Sequence, residues 1–161
     1  MARSAEAIQF QIRADQYLRW SKPYVRMLFY CSEVVPMTCP FCQLPPERVV
    51  FANLHGMVIR DGFPVSPGHT LIIPRRHVGS FFEIDFPERD ALMALLEEAK
   101  RRLDKEFKPD GYNIGINDGA PAGQTVPHLH IHLIPRYTGD RGDPRGGVRW
   151  IIPEKADYWS K

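Results

Sequence analysis

A seven-residue segment in the second half of the chain constrains the fold most. Residues His128–Ile134 read His-Leu-His-Ile-His-Leu-Ile, an alternation with a period of two. Successive side chains of a β-strand point to opposite faces, so this period predicts a strand over His128–Ile134. Its aliphatic side chains would face the core, while His128, His130 and His132 line the other face. Three imidazoles on one face each need a hydrogen-bond partner, so we expect a reactive or metal-binding row rather than packing alone.

Two kinds of chemistry compete for this row. A catalytic zinc site needs three converging ligands and an open coordination position, whereas the first and third residues of the row would lie about 13 Å apart on a straight strand. No acidic residue is interleaved between the histidines as a further ligand or base. An imidazole that attacks phosphorus fits better, because a phosphoramidate intermediate divides one difficult displacement into two easier ones. We therefore expect a histidine nucleophile.

A second motif, Cys39-Pro40-Phe41-Cys42, places two thiols close together. A thioredoxin-type redox pair needs a helix that opens at the second cysteine, but the chain continues Gln-Leu-Pro-Pro, which disfavours a helix there. In a reducing compartment, two such thiolates more often hold zinc with two further ligands. His77 and His128 are the natural completions, and the four residues then form a closed, structural zinc site. The redox pair stays as the less favoured alternative.

The remaining pattern predicts an α+β domain with an antiparallel sheet. The predicted strands are Val49–Ala52, Gly56–Arg60, Thr70–Pro74, Tyr112–Asn117 and His128–Ile134. Between the third and fourth strands, Asp85 and Glu88 have the spacing of a helix capping box. One apolar stripe at helical spacing then follows, made of Leu92, Leu95, Leu96, Ala99, Leu103 and Phe107. Three strands before one long helix and two after it, joined by turn-rich segments, favour this architecture over a doubly wound parallel sheet.

Composition excludes several classes of protein. The 161 residues, 43% hydrophobic and 25% charged, suit one ordinary globular domain. A formal net charge of +2 is too even for a protein that wraps nucleic acid, and three cysteines are too few for a disulfide framework. Because no apolar run near the N-terminus approaches the length of a signal core or membrane span, we predict a cytoplasmic protein with no membrane partner and no stable nucleic-acid partner.

The chain divides into two regions in this prediction. Residues 1–36 form a partly helical N-terminal extension rich in aromatic side chains, and residues 37–161 form the domain that carries both motifs and a C-terminal tail. The aromatic residues of the extension are expected to pack on the domain or on a partner subunit. A membrane-surface or nucleic-acid role for its dispersed basic residues is a less favoured alternative.

Taken together, the segments resemble the histidine triad (HIT) family of nucleotide hydrolases and transferases. His128–Ile134 is similar to the family signature of three histidines that alternate with hydrophobic residues. The resemblance runs from Cys39 to about Arg136 and includes Pro67–Pro74 and Gly123–Val126, while the N-terminal extension lies outside it. It implies a five-stranded antiparallel sheet with one long helix, and a homodimer in which two copies pair across a twofold axis.

The resemblance also implies a catalytic set. The middle histidine, His130, would attack the α-phosphate of a nucleotide ester, anhydride or phosphoramidate to form a nucleotidyl-histidine, from which water releases a nucleoside monophosphate. His132 corresponds to the histidine that handles protons and contacts phosphate. Gln124 and Thr125 correspond to side chains that contact the phosphates and the leaving group. In zinc-bearing members of bacterial type, the metal ligands correspond to the same cysteine and histidine positions already chosen on ligand chemistry.

Further positions would bind the substrate. Asp61 lies where the family places an acidic or amide residue on the ribose hydroxyls, His69 matches a pocket histidine near the nucleophile, and Asn117 matches a phosphate-pocket residue of one branch. The tail resembles the dinucleoside polyphosphate branch, so we expect Arg145 and Arg149 to contact phosphates beyond the scissile one. The alternative is that both arginines belong to a solvated tail.

The leading functional prediction is therefore a hydrolase of dinucleoside polyphosphates or related nucleotide conjugates. Three alternatives stay open: a nucleotidyl transferase or phosphorylase that intercepts the His130 adduct, an adenosine phosphoramidase, and a nucleotide-binding regulator without activity. An intact His130 and Gln124 argue against the regulator.

Overall fold

A five-stranded antiparallel sheet forms the centre of the domain. The structure, a computed structural model, describes residues 39–160. The strands are β1 (Val49–Ala52), β2 (Gly56–Arg60), β3 (Thr70–Pro74), β4 (Gly111–Gly115) and β5 (Ile131–Arg136), in the spatial order β1-β2-β3-β5-β4. All four neighbouring pairs are antiparallel. The predicted α+β class, with five antiparallel strands and one long helix, is confirmed.

The long helix α1 (Phe86–Glu106) covers one face of this sheet. It begins with the predicted capping box, in which the Asp85 carboxylate accepts from the Glu88 N–H and the Glu88 carboxylate accepts from the Asp85 N–H. Its buried stripe packs against strand residues that share one side of the pleat, in a core that includes Leu92, Leu95, Ala99, Leu103, Val58, Ile72, Ile131 and Leu133. Alternating side chains of the strands build this core, as the period of two predicts.

The other face of the sheet carries a second, smaller core. Met57, Ile59, Leu71 and Ile73 are buried there, and Phe41 and Leu44 from the segment before β1 pack against them. Since Leu71 on β3 pairs with His132 on β5, this is also the face that receives the histidine. The functional side chains are therefore placed on the face of the sheet opposite α1.

The bounds of two strands, β4 and β5, differ from the prediction at both ends. The last strand begins at Ile131 rather than His128, because the Leu129 N–H donates to the carbonyl of Val78 at 2.6 Å instead of joining the ladder that starts at Ile131. The fourth strand is Gly111–Gly115 rather than Tyr112–Asn117, and it ends where the glycine-rich loop begins. The predicted faces still hold, since Leu129 is buried in the core against α1.

The chain continues after β5 into short helical turns. A 3-10 helix at Gly147–Ile151 precedes a one-turn helix, α2 (Pro153–Ala156). Within residues 39–160, no helix is long and apolar enough to cross a membrane. The predicted N-terminal extension, residues 1–36, lies outside the described residues, and the boundary at residue 37 stays a prediction.

Candidate functional site

Four side chains predicted as metal ligands lie together at one end of the sheet. The ligand atoms of Cys39, Cys42, His77 and His128 all lie within 4.8 Å of one another. The Sγ atom of Cys39 is 3.4 Å from Nδ1 of His128, and the Sγ atom of Cys42 is 3.2 Å from Nδ1 of His77 and 3.5 Å from Nδ1 of His128. Sulfur and nitrogen ligands of a tetrahedral zinc ion lie about 3.6 Å apart, so the four side chains fit a metal ion.

Hydrogen bonds and burial determine the protonation of the side chains in this cluster. The Nε2–H of His128 donates to the carbonyl of Pro74 at 3.0 Å, which leaves the Nδ1 lone pair directed at the sulfurs. Burial lowers the pKa of His128, so the ring stays neutral, the form that binds metals. Burial and the neighbouring Cys39 raise the pKa of the Cys42 thiol to about 11. A bound cation would reverse that last effect, because it stabilises the thiolate.

The predicted nucleophile, His130, has a defined tautomer. Its Nδ1 lies 2.8 Å from the carbonyl oxygen of His128, and a carbonyl only accepts, so Nδ1 carries the proton. In the neutral form of the ring, the lone pair then lies on Nε2. His130 is 7% exposed, and it lines the same cavity as His132. A neutral imidazole with a fixed proton on one nitrogen and a lone pair on the other is suited to nucleophilic attack.

A chain of hydrogen bonds links His132 to a carboxylate. Nδ1 of His132 lies 3.1 Å from Nε2 of His69, whose own Nδ1 lies 3.3 Å from Oδ2 of Asp61. The Val65 N–H also points at Nδ1 of His69, at 3.3 Å. A hydrogen bond to Asp61 requires a proton on Nδ1 of His69, whereas a hydrogen bond from the Val65 N–H requires a lone pair on the same atom. The chain of hydrogen bonds therefore has two proton arrangements. His132 at its end can therefore either donate or accept a proton through Nε2.

Burial governs the charge of these imidazoles. Desolvation, together with the nearby His130 and His69 rings, lowers the pKa of His132 to about 4. Burial likewise lowers the pKa of His69, although the Asp61 carboxylate acts in the opposite direction. The His69 side chain is only 3% exposed, which explains why desolvation outweighs the carboxylate. Both rings are therefore neutral near pH 7.

A cavity of about 510 Å³ opens beside His130 and His132. The other described residues that line it are mostly apolar, and Arg48, Asp61 and Thr125 are its polar members. The full set is Pro40, Phe41, Leu44, Pro45, Arg48, Ile59, Asp61, Gly62, Phe63, Leu71, Thr125 and Val126. Mostly apolar walls with a few convergent polar groups are typical of small-molecule sites. The sequence analysis did not select Phe41, Leu44 or Phe63. Only the position of Phe41 between two metal ligands was a signal for it.

The loop before the histidine row holds the other predicted contacts. Thr125 lines the cavity. Gln124 uses both ends of its amide: Nε2 donates to the carbonyl of Gly79 at 2.8 Å, and Oε1 accepts from the Gly119 N–H at 2.8 Å. The side chain thus ties the glycine-rich loop to the segment after His77. Asn117 is half-buried in the same loop but is not among the described residues that line the cavity.

The two tail arginines are not brought to the described lining of this cavity. The Arg145 guanidinium pairs with Asp143 at 2.7 Å and lies over the ring of Trp159. Arg149 donates to the carbonyl of Lys155 at 2.6 Å and lies over the ring of Tyr158. Their described partners hold the tail together.

Comparison with known proteins agrees with this geometry. Residues 44–139 match the HIT domain family. The chain belongs to the HIT family. An uncharacterized HIT-like protein of Mycoplasma genitalium is 36% identical over 109 residues, which are 65% of this chain and 77% of that protein. A bis(5'-adenosyl)-triphosphatase of Saccharomyces cerevisiae is 35% identical over 118 residues, which are 72% of this chain and 54% of the yeast enzyme.

A solved structure also resembles this HIT domain. The zinc-bound histidine triad family protein of Mycobacterium smegmatis has a TM-score of 0.59 and 33% sequence identity, over 65% of this chain and 79% of that one. The relationship supports a nucleotide-binding or hydrolytic function for this HIT protein.

Proposed function

We propose that this HIT protein hydrolyses dinucleoside polyphosphates or related nucleotide conjugates at the α-phosphate, through a covalent adduct on His130. The observation that carries the proposal is the contact from Nδ1 of His130 to the carbonyl of His128, because it leaves Nε2 as a lone pair at the cavity. The yeast triphosphatase among its relatives supports this class of substrate.

The proposed reaction has two balanced steps. In the first, Nε2 of His130 forms a bond to the α-phosphorus while the bond from phosphorus to the bridging oxygen of the leaving phosphate breaks. That oxygen departs with the electron pair as a phosphate anion, stabilised by a hydrogen bond from His132 Nε2–H. In the second, His132 in its other proton arrangement takes a proton from water through Nε2, the water oxygen bonds to phosphorus, and the phosphorus–nitrogen bond breaks with its electron pair returning to Nε2 of His130. His132 then releases that proton to solvent, a nucleoside monophosphate leaves, and both histidines return to their starting state. The alternative proton arrangements of the His69–His132 contact support this exchange.

Other side chains would bind and orient the substrate. We assign the ribose hydroxyls to Asp61, which lies at the cavity edge, and the phosphates to Thr125. His69 holds His132 in place, and Asn117 and Gln124 shape the loop that faces the phosphates. Because each end of the Gln124 amide already makes one hydrogen bond, a contact with a leaving group would use its second Nε2–H or the second lone pair of Oε1.

The tail arginines require a separate argument. Arg145 and Arg149 are held by contacts within the tail, so a contact with bridging phosphates requires a long substrate that leaves the cavity, or a second copy of the chain. If either occurs, replacing both by Ala should erase the preference for three or four bridging phosphates over an adenosine phosphoramidate. Equal losses on both substrates would contradict this role.

We propose zinc as the ion of the four-ligand cluster, because two thiolates and two imidazoles at tetrahedral spacing are a zinc donor set. The ion would tie the segment at Cys39 to the ends of β3 and β5. Purified protein should carry close to one zinc per chain, and Cys39→Ser should lower both zinc content and Tm, since the energy of metal binding is folding energy. A full zinc content and an unchanged Tm in Cys39→Ser would contradict the assignment.

We further propose that two copies pair into a homodimer through β4. This strand is an edge of the sheet, and Ile114 on it is 49% exposed. An edge strand presents unpaired backbone groups that a second copy can continue. Analytical ultracentrifugation should give a dimer for the wild type and a weaker dimer for Ile114→Glu. A monomer at every concentration would refute the pairing.

Product analysis on a substrate panel tests the activity. The panel holds a diadenosine polyphosphate, an adenosine phosphoramidate and an adenylylated 5′ DNA end, each with and without added phosphate. A hydrolase of the proposed class releases nucleoside monophosphate from the first substrate in plain buffer. Release of a diphosphate only when phosphate is supplied would indicate a phosphorylase, preference for the second substrate a phosphoramidase, and binding without turnover a regulator.

A further inference from the structure

Two residues, His128 and Phe41, connect the metal cluster with the predicted nucleophile His130. His128 offers Nδ1 to the metal position, while its backbone carbonyl, 2.8 Å from Nδ1 of His130, fixes the tautomer of the nucleophile. A displacement of the His128 backbone would therefore move the acceptor on which His130 depends. Because Nε2 of His128 is held by the Pro74 carbonyl, Nδ1 and a metal ion would complete the restraint on this ring.

Phe41 provides the second connection. It lies between Cys39 and Cys42 in the sequence, and its ring meets that of His130 edge to face, with centroids 5.3 Å apart and an interplanar angle of 67°. It also meets the ring of His128 at 5.8 Å and 77°. The same ring lines the cavity beside His130. One aromatic side chain thus contacts a metal ligand, the nucleophile and the space for the substrate.

The backbone around Phe41 gives this position little support of its own. Residues Pro40–Gln43 form a turn, and the segment 39–45 belongs to no helix or strand. Phe41 and Leu44 pack on the small core of the sheet, but each stays partly exposed at the cavity. Two cysteine ligands that flank Phe41 would fix both ends of this turn to His77, which follows β3, and to His128, which precedes β5, as a short loop closed by a metal becomes ordered.

We infer that Phe41 couples the metal centre to the nucleotide site, so that metal binding and nucleotide binding strengthen one another. The inference rests on the proposed nucleotide-binding function and adds a role to a centre that otherwise only holds the fold. Coupling of binding equilibria is reciprocal: whatever factor zinc adds to nucleotide affinity, nucleotide adds to zinc affinity. We expect a factor of about 10, within the range for side chains that orient metal ligands.

Two binding titrations test the coupling without turnover. Calorimetry with AMP on zinc-loaded and chelator-treated wild-type protein should give an affinity about tenfold weaker for the zinc-free form. Competition with a chromophoric chelator should show zinc held about tenfold more tightly when AMP is saturating. Equal AMP affinities in the two forms, with both folded by circular dichroism, would overturn the inference.

Variants separate Phe41 from the metal ligands. Phe41→Leu keeps all four ligands and an apolar side chain, so zinc should still bind while AMP affinity falls and the reciprocal factor approaches one. Phe82→Leu is the matched control, because Phe82 is 83% exposed and is not among the described residues of the cavity; it should keep the full factor. An unchanged factor in Phe41→Leu would assign the coupling elsewhere and refute the role of Phe41.

Two further readouts keep the test decisive. If the zinc-free protein unfolds, cobalt-substituted protein replaces it: AMP should shift the visible cobalt absorption of the wild type and shift it less in Phe41→Leu. Absence of a shift while AMP binds would contradict the coupling. Nitrogen NMR of His130 should show one tautomer, with the proton on Nδ1, in the zinc form. If zinc-loaded wild type binds no AMP at all, the proposed function fails, whereas the His130 tautomer still reports whether the metal orders the nucleophile.

Discussion

The ion pair between Glu88 and Arg76 should stabilise both the fold and the metal centre. Glu88 is a buried side chain at the start of α1, and Arg76 directly precedes the ligand His77. Nε and Nη2 of Arg76 lie 3.1 and 2.8 Å from the two carboxylate oxygens, so the pair is bidentate. The same carboxylate accepts from the Asp85 N–H to close the capping box. Glu88→Ala therefore removes one anchor of the segment that carries His77, and part of a helix cap.

The size of the effect follows from the exposure of the two partners. A charge-assisted hydrogen bond contributes about 1.5–3 kcal/mol, but the Arg76 side chain is 41% exposed, so screening by water reduces the contribution toward the lower limit. Together with half a capping box, we expect Glu88→Ala to cost about 2 kcal/mol of unfolding free energy. For a domain of this size that corresponds to a Tm roughly 5–10 °C lower. Zinc affinity should fall as well, because the neighbouring Arg76 loses its ion pair and holds the segment of His77 less firmly.

Denaturant unfolding at saturating zinc measures this cost. Glu98→Ala is the matched control on the same helix, since Glu98 pairs with Arg101 and Arg102 at the solvent-exposed surface and should change stability little. Glu88 should also make stability depend on pH. The Arg76 contact holds the pKa of Glu88 below its usual value. The stabilisation is therefore complete above about pH 4.5, the ordinary pKa of a glutamate, and is lost as the pH falls through the lowered pKa of Glu88 in the folded protein. A Glu88→Ala protein no less stable than Glu98→Ala would refute the reasoning.

Two further predictions concern His132 and the core. Since the pKa of His132 is lowered to about 4, an NMR titration should find its ring neutral down to about pH 5. The unfolded chain takes up the proton at a higher pH than the folded chain, so the free energy of unfolding should fall as the pH drops from about 6.5 toward 4. A titration midpoint above about pH 6 would contradict the burial argument. A Cβ at Gly56 would lie 2.6 Å from a methyl carbon of Leu92, so Gly56→Ala should cost about 1–3 kcal/mol in thermal unfolding. Gly79→Ala should not, because a Cβ at Gly79 meets no atom of the described residues within 4 Å apart from its chain neighbours.

The fold was predictable from the sequence to the extent that local patterns decide it. The capping box at Asp85 and the alternation around Ile131 depend on near neighbours, and both are confirmed. The start of β5 was not predictable, because contacts remote in sequence hold the two residues at its predicted start. His128 contacts the carbonyl of Pro74 and the thiol of Cys39, and the Leu129 N–H donates to the carbonyl of Val78.

The candidate site divides in the same way. The metal cluster was predictable from the sequence, because a zinc ion held by two neighbouring thiolates needs two further ligands and few residue types can supply them. The chain from Asp61 through His69 to His132 depends on the register of β3 with β5, which no local pattern encodes. Phe41 contacts His130 only once the turn before β1 folds over the sheet, so its importance emerges from the packing.

The most direct test of the account is to trap the covalent adduct. Wild-type protein is mixed with a diadenosine polyphosphate, quenched within milliseconds under alkaline conditions that preserve phosphoramidates, and digested for mass spectrometry. The account predicts a nucleotide on the peptide that contains His130, attached at that residue, and predicts that His130→Asn forms no adduct and loses several orders of magnitude in turnover while it still binds nucleotide. Turnover near the wild-type rate in His130→Asn, or an adduct on a different residue, would contradict it.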